Sequence, residues 1–142
     1  MSETRSTIII EASIDQVAEA IASVASYPSW SSSMKEVKVL EGGDVKPTKV
    51  EMSLSSGALR DKAILNFDWS NFPASLSFTL EEADLLTAMD GHQELKSIGD
   101  ETEVSYSLTV ALSMPVPDMM RQKAEKAVVD QTLKELKTHV EG

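Results

Sequence analysis

The last stretch of the chain, residues 117–140, most limits the folds that are possible. It has no glycine, has no proline after Pro117, and is rich in Ala, Leu, Met, Lys, Gln and Glu, all of which favour helix. A helix of this length is about 35 Å long, roughly the width of a small domain. The sequence therefore predicts one long C-terminal helix, which starts at Pro117 and is stopped by Gly142, with the remaining elements packed around it.

The faces of this helix differ from those of an ordinary core helix. One side is charged, and the opposite side has two apolar edges, between which lie Arg121, Glu125, Thr132 and His139. A helix on a solid core puts its most apolar positions in the middle of the buried face. Polar groups in the middle instead suit a helix that closes over a partly hollow interior. The alternative is a wide core-packing face from which Arg121 and Glu125 reach solvent as an i,i+4 pair.

Length and composition indicate one globular domain spanning residues 1–142, with 42% hydrophobic residues to build its core. There is no cysteine, which excludes disulfides, thiol nucleophiles and cysteine-ligated metals and fits a reducing cytoplasm. The first six residues lead into a run of only three isoleucines. No apolar run approaches the roughly 20 residues that span a bilayer. We therefore expect a cytoplasmic protein with no signal peptide and no stable membrane insertion.

The charge balance excludes one class of partner. With 13 basic and 23 acidic residues the formal net charge is −10, and the acidic residues are spread along the chain. Such a surface repels phosphate backbones, so we expect no nucleic-acid binding.

The N-terminal part predicts a strand followed by a helix. Residues 4–11 are rich in β-branched side chains. Ser13 and Gln16 form the pattern of a capping box. The apolar face of the helix that follows consists of Val17, Ala18, Ile21, Ala22 and Ala25. Pro28 requires this helix to end near Tyr27, which makes Tyr27-Pro28-Ser29-Trp30 a turn with two aromatic residues.

From Met34 onward the apolar period is two, which is typical of strands. The predicted strands are 34–41, 49–55, 60–69, 76–81, 85–96 and 102–112, with breaks at 42–44, Gly57, 71–73 and 99–100. The alternation puts Phe67, which we expect to be buried, on the same face as Trp69, and it points His92 outward. Short turns between strands favour an antiparallel meander. The fold class is therefore α+β, with a strongly curved seven-stranded sheet wrapped around the long helix and one or two short helices after the first strand.

Three features together resemble a known family: the order of elements, the Tyr27-Pro28-Ser29-Trp30 turn, and Gly91 followed by Thr102-Glu103-Val104. Nearly the whole chain resembles the polyketide cyclase/dehydrase branch of the START-like (SRPBCC) superfamily, whose helix-grip fold also occurs in coenzyme-Q-binding proteins and plant allergens. The resemblance implies a hydrophobic cavity under the long helix that holds a lipid, an isoprenoid quinone or a polyketide-like molecule. It implies no single reaction, since family members include aromatase/cyclases and lipid carriers.

The predicted ligand site combines inward strand positions, the aromatic turn and the polar middle of the helix. The residues expected to contact a ligand are Tyr27, Trp30, Met52, Leu54, Leu65, Phe67, Trp69, Phe78, Met89, Tyr106, Leu108, Met120, Arg121, Ala124, Glu125 and Val128. Tyr27 and Trp30 are expected to plug one end of the core or to gate the cavity. The sequence has no HExxH pattern, no GxSxG and no glycine-rich phosphate loop. We therefore expect no metal and no cofactor.

Three functions remain open from the sequence. The first is non-enzymatic binding or transport of a small hydrophobic molecule by a monomer or homodimer, with Arg121, Glu125 or Tyr106 as the polar anchor. The second is a polyketide cyclase/aromatase, in which Glu125 and Arg121 are the only candidate catalytic residues. The third is an interaction protein with a vestigial cavity.

Overall fold

The computed structural model describes residues 4–56 and 59–142. The break predicted at Gly57 lies outside the described residues. The elements in chain order are β1 (Thr4–Ile10), α1 (Ile14–Ala22), a 3₁₀ helix (Val24–Ser29), β2 (Met34–Glu41), β3 (Lys49–Ser56), β4 (Leu59–Asp68), β5 (Ser75–Ala83), β6 (Leu86–Ile98), β7 (Glu101–Leu112) and α2 (Asp118–Glu141).

The strands form one seven-stranded sheet in the order β1-β7-β6-β5-β4-β3-β2, and neighbouring strands are antiparallel. Register shifts interrupt the β2–β3, β4–β5 and β6–β7 pairs. Such irregularities bend strands and increase their twist, which curves the sheet around α2. The predicted α+β class with a curved antiparallel sheet and a long C-terminal helix is confirmed.

The first helix is shorter than the sequence predicts. The capping box is present, because the Ser13 side chain accepts from the Gln16 N–H and the Gln16 side chain accepts from the Ser13 N–H. The α-helix ends at Ala22 and not near Tyr27, and the chain continues as a 3₁₀ helix that contains Pro28. Residues three apart are eclipsed in a 3₁₀ helix. Val24 and Tyr27 are therefore both buried, whereas Ala25, predicted on the apolar face, is exposed.

Helix α2 lies along β1 and is tied to it by polar contacts at successive levels. The contacts, in order along the helix, are Thr4 with Glu125, Ser6 with Asp130, the Ile9 carbonyl with Lys137, and the Glu11 N–H with Glu141. Between these contacts the helix buries Val129, Leu133 and Leu136 against the sheet. The helix is thereby fixed over one side of the concave face.

The concave face of the sheet carries the aromatic core. Phe67 is 8% exposed and stacks on Trp69 with ring centroids 5.7 Å apart, which confirms that these two residues share one face. The Phe78 ring lies over Gly91, where a Cβ atom would be 2.0 Å from Phe78 Cζ. Glycine at this position therefore lets Phe78 lie flat on the sheet.

The convex face is less exposed than strict alternation predicts. His92 points outward as expected, and its Nδ1 lies 2.8 Å from the Ser77 hydroxyl. Ser105 and Ser107 also belong to this face, yet both are buried. They lie on β7, between β1 and β6, where small side chains are covered by larger neighbours such as Thr7, whose hydroxyl lies 3.0 Å from that of Ser105. None of the helices in the described part of the chain has the length and apolar character to span a membrane.

Candidate functional site

A cavity of about 230 Å³ lies between the concave face of the sheet and the first half of α2. We refer to it as the outer cavity. Its lining is mainly leucine, methionine and valine, and consists of Ser33, Leu54, Ser55, Asp61, Leu86, Met89, Leu108, Val110, Leu112, Val116, Met120, Arg121, Ala124, Glu125 and Val128. Met120 lines the cavity and is 62% exposed, so its mouth lies where α2 begins.

A second space of about 40 Å³, the inner cavity, lies deeper under α2. The two cavities share Ser33, Leu54, Met89 and Val128 and therefore adjoin. The other residues around the inner cavity are Tyr27, Met34, Met52, Leu65, Phe67, Leu76, Phe78, Gln93, Tyr106 and Thr132. Together the two cavities follow the axis of α2 from its first turn to its middle.

The polar middle of the α2 face is a buried ion pair. Arg121 is 7% exposed and Glu125 is 1% exposed. Glu125 Oε2 accepts from Arg121 Nη1 at 2.8 Å and from the Val110 N–H at 2.7 Å, while Oε1 accepts from the Thr4 hydroxyl at 2.7 Å. The pair therefore does not reach solvent, which was the alternative arrangement considered from the sequence.

Glu125 lies where a backbone N–H of β7 needs a hydrogen-bond acceptor. In the described chain the β1–β7 pairing begins with Thr4 opposite Leu108. The Val110 N–H lies beyond that pair and binds the Glu125 carboxylate instead of a strand partner. A buried N–H without an acceptor is costly, and this carboxylate supplies the acceptor. Hydrogen bonds already occupy both of its oxygens.

Asp61 is the other carboxylate among the described residues that line the outer cavity. Its Oδ1 accepts from the Asp84 N–H, and its Oδ2 accepts from the N–H groups of Leu85 and Leu86 at 3.1 and 2.9 Å. It therefore holds the turn between β5 and β6 at the rim of the cavity. Both lining carboxylates thus accept hydrogen bonds from backbone N–H groups. Their oxygens therefore have little remaining capacity to exchange a proton with a ligand.

A sequence profile for the family described as polyketide cyclase/dehydrase and lipid transport matches residues 1–141. The chain belongs to this family. The family predicted from the aromatic turn and the order of elements is therefore confirmed. No curated protein matches the chain by sequence.

Solved structures agree with this assignment at the level of the fold. A START superfamily protein from Mycobacterium smegmatis has a TM-score of 0.88 at 21% identity, over 98% of this chain and 97% of that one. The Zhui aromatase/cyclase from Streptomyces sp. R1128 has a TM-score of 0.80 at 16% identity, over 99% and 93%. At these identities the likeness covers the fold alone.

Most of the predicted site residues line the two cavities of this family member. The outer cavity contains Leu54, Met89, Leu108, Met120, Arg121, Ala124, Glu125 and Val128, and the inner cavity adds Tyr27, Met52, Leu65, Phe67, Phe78 and Tyr106. Trp30 and Trp69 lie outside both linings. Trp30 stacks on His139 with centroids 5.5 Å apart, and Trp69 Nε1 donates to the Pro47 carbonyl at 2.7 Å. That any of these residues contacts a ligand remains a prediction.

Several lining residues were not predicted from the sequence. Asp61, Leu86, Leu112 and Val116 come together in the lining of the outer cavity, because the first residues of β4 and β6 and the last residue of β7 lie near the start of α2. No local sequence pattern indicates that these strand ends and the start of α2 are close in space. Gln93 and Thr132 line the inner cavity, and a signal for Thr132 was present in its position within the polar middle of the helix face.

The two tyrosines of the chain make the inner cavity observable by titration. Burial raises the pKa of the Tyr106 phenol well above its usual range, and burial together with the neighbouring Tyr106 raises the pKa of Tyr27 further. Both phenols are therefore expected to stay protonated as long as the protein is folded, whereas the unfolded chain ionises near about pH 10. Stability should hold below that pH and fall above it.

An absorbance titration of tyrosinate, followed in parallel with circular dichroism, checks this expectation. No tyrosinate should form until the circular dichroism signal is lost. The Tyr27→Phe variant isolates Tyr106 and should behave in the same way. Ionisation of either phenol near about pH 10 in a folded protein would show that the inner cavity is open to water.

Proposed function

We propose that the protein binds a small, largely apolar molecule of one or two rings in the outer and inner cavities. The observation that carries the proposal is the outer cavity of about 230 Å³, which is roofed by α2 and lined mainly by leucine, methionine and valine. Burial of apolar ligand surface in such a space is the driving force. A vestigial cavity is expected to be filled by its own side chains, so the unfilled volume of about 230 Å³ favours binding.

The volume indicates the size of the ligand. An apolar cavity of about 150 Å³ is enough to hold benzene. The outer cavity at about 230 Å³ therefore suits a bicyclic ring system or a short chain. A complete isoprenoid quinone or lipid would have to extend through the mouth beside Met120. This favours a compact ring compound over the long-chain ligands that the sequence left open.

Binding has more support than catalysis. A polyketide cyclase/aromatase needs an acid–base group that can reach its substrate. Hydrogen bonds from backbone N–H groups, the Arg121 guanidinium and the Thr4 hydroxyl already occupy the oxygens of Glu125 and Asp61. The similarity to an aromatase/cyclase structure is a likeness of fold, and fold does not fix a reaction. The cyclase therefore remains the second candidate, because neither described lining carboxylate is free to act as its acid–base group.

A pair of alanines on α2 provides a matched test of the proposal. Ala124 lines the outer cavity, and Ala127 is exposed on the same helix. In isothermal titration calorimetry we expect one molecule of 2-methylnaphthalene to bind per chain with about micromolar affinity. The heat capacity change should be negative, since apolar surface is buried.

The Ala124→Leu variant should fill part of the cavity and weaken this binding by about tenfold or more. The Ala127→Leu variant should bind like the unmodified protein, because leucine and alanine are both good helix formers. Absence of binding to the unmodified protein, or equal binding by both variants, would contradict the proposal.

A further inference from the structure

Two threonines on α2 use their hydroxyls differently. Thr138 is exposed, and its Oγ1 donates to the Lys134 carbonyl at 3.0 Å, which is the usual bond of a helical threonine one turn back. Thr132 is 3% exposed, and its Oγ1 has no hydrogen-bond partner among the described residues. Thr132 lines the inner cavity. Its hydroxyl is therefore a buried polar group at the wall of a cavity, with its hydrogen-bonding capacity unused.

A second unused polar atom lies across the same space. The side chain of Gln93 on β6 lines the inner cavity, and its buried Oε1 has no partner among the described residues. Gln93 is paired in register with Tyr106 on β7, which also lines this cavity. Paired residues of adjacent strands point to the same face. A helix residue and two sheet residues therefore present polar groups to a space of about 40 Å³.

A buried polar group without a hydrogen-bond partner destabilises the fold, typically by more than one formed hydrogen bond stabilises it. Valine at position 132 and an apolar residue at position 93 would avoid that cost in a purely structural core. The space of about 40 Å³ also exceeds the roughly 10–15 Å³ that one water-sized group requires. An oxygen-bearing group of a ligand fits both the volume and the polar atoms.

We propose that the inner cavity is a subsite for a hydroxyl group on the ring ligand, recognised by Gln93, Thr132 and Tyr106. This rests on the proposed function and specifies its ligand class as a hydroxylated ring compound. A hydroxyl both donates and accepts, so it can donate to Gln93 Oε1 and accept from Thr132 or Tyr106. An ether or a keto oxygen cannot donate and would leave the Gln93 oxygen unpaired.

The spacing along α2 fits such a ligand. Thr132 is seven residues beyond Glu125, which corresponds to about 10 Å along the helix axis. The apolar residue Val128 lies between them and borders both cavities. The hydroxyl would occupy the inner cavity while the rings lie against Val128 and Leu108 in the outer cavity. The ligand would therefore enter with its hydroxylated end first.

Two probes of matched shape test the subsite. 2-Naphthol and 2-methylnaphthalene share a ring system and differ in a hydroxyl against a methyl group. Calorimetric titration of the unmodified protein should show a preference for 2-naphthol of about tenfold or more. The Thr132→Val and Gln93→Met variants should each lose most of that preference while they keep their affinity for 2-methylnaphthalene. Thr138→Val, which removes an exposed hydroxyl of the same helix, should keep the preference.

Urea denaturation without ligand distinguishes a ligand-binding role of the Thr132 hydroxyl from a structural role. If the Thr132 hydroxyl serves a ligand, its replacement by the isosteric valine should leave the urea midpoint unchanged or raise it. A lower midpoint would show that the hydroxyl is needed by the fold and would overturn the subsite. Equal affinity of the unmodified protein for both probes would overturn the subsite and leave the proposed function standing. Failure of both probes to bind would overturn both.

Discussion

The Glu125→Ala substitution is expected to lower the free energy of unfolding by about 3–5 kcal/mol, because it leaves a buried charge without its partner. Arg121 is 7% exposed and ion-paired to Glu125 at 2.8 Å. The Val110 N–H and the Thr4 hydroxyl would lose the same acceptor. Three groups would thus lose their hydrogen-bond acceptor at once. Urea denaturation followed by circular dichroism measures the loss.

An exposed ion pair on the same helix provides the control. Lys126 and Asp130 have the same i,i+4 spacing and a distance of 2.9 Å, but both are exposed. Lys126→Ala should cost less than about 1 kcal/mol. The Arg121→Ala, Glu125→Ala double variant should be less destabilised than the sum of the two single variants. Equal losses for Glu125→Ala and Lys126→Ala would show that the first pair is solvated.

The Tyr27→Ala substitution should cost about 3 kcal/mol, within the range for truncation of a buried aromatic side chain. Tyr27 is 6% exposed, and its hydroxyl donates to the Ile21 carbonyl. Its ring also meets Trp30 edge to face, with centroids 5.2 Å apart. The substitution would therefore remove a wall of the inner cavity and a tie between the 3₁₀ helix and α1. Urea denaturation again gives the value.

The Tyr27→Phe variant separates the hydroxyl from the ring and should lose only about 1 kcal/mol. If Tyr27→Ala lost well under 1 kcal/mol, the aromatic turn would be a mobile gate. Trp30 stacks on His139 outside both cavity linings. This arrangement favours a plug that joins the turn to the end of α2.

Local sequence patterns predicted the elements well where the pattern was long. Strand β2 has the predicted bounds, Met34–Glu41, and α2 starts one residue after Pro117. The end of α1 was wrong because the sequence rule at Pro28 marks only the last possible helical residue. The rule does not exclude a tighter 3₁₀ helix, which tolerates Pro28 and buries Val24 and Tyr27.

The candidate site was predictable only in part, for a physical reason. The polar middle of the α2 face was visible in the sequence, and Arg121 and Glu125 are buried there. Their partners Thr4 and Val110 depend on the register of β1 against β7, which joins residues about 100 positions apart in the sequence. Trp30 was included as part of the aromatic turn, and Trp69 because the strand alternation puts it on the same face as Phe67. Outside the cavity linings, Trp30 instead stacks on His139 near the end of α2, and Trp69 donates to the Pro47 carbonyl.

A crystal structure of the protein grown with 2-methylnaphthalene tests the central claim most directly. We predict density for the fused rings between β7 and α2, in contact with Leu108 and Val128 and at the depth of Ala124. Binding only at the exposed Met119, or a cavity without ring density when calorimetry shows saturation, would contradict the assignment of this cavity as the ligand site.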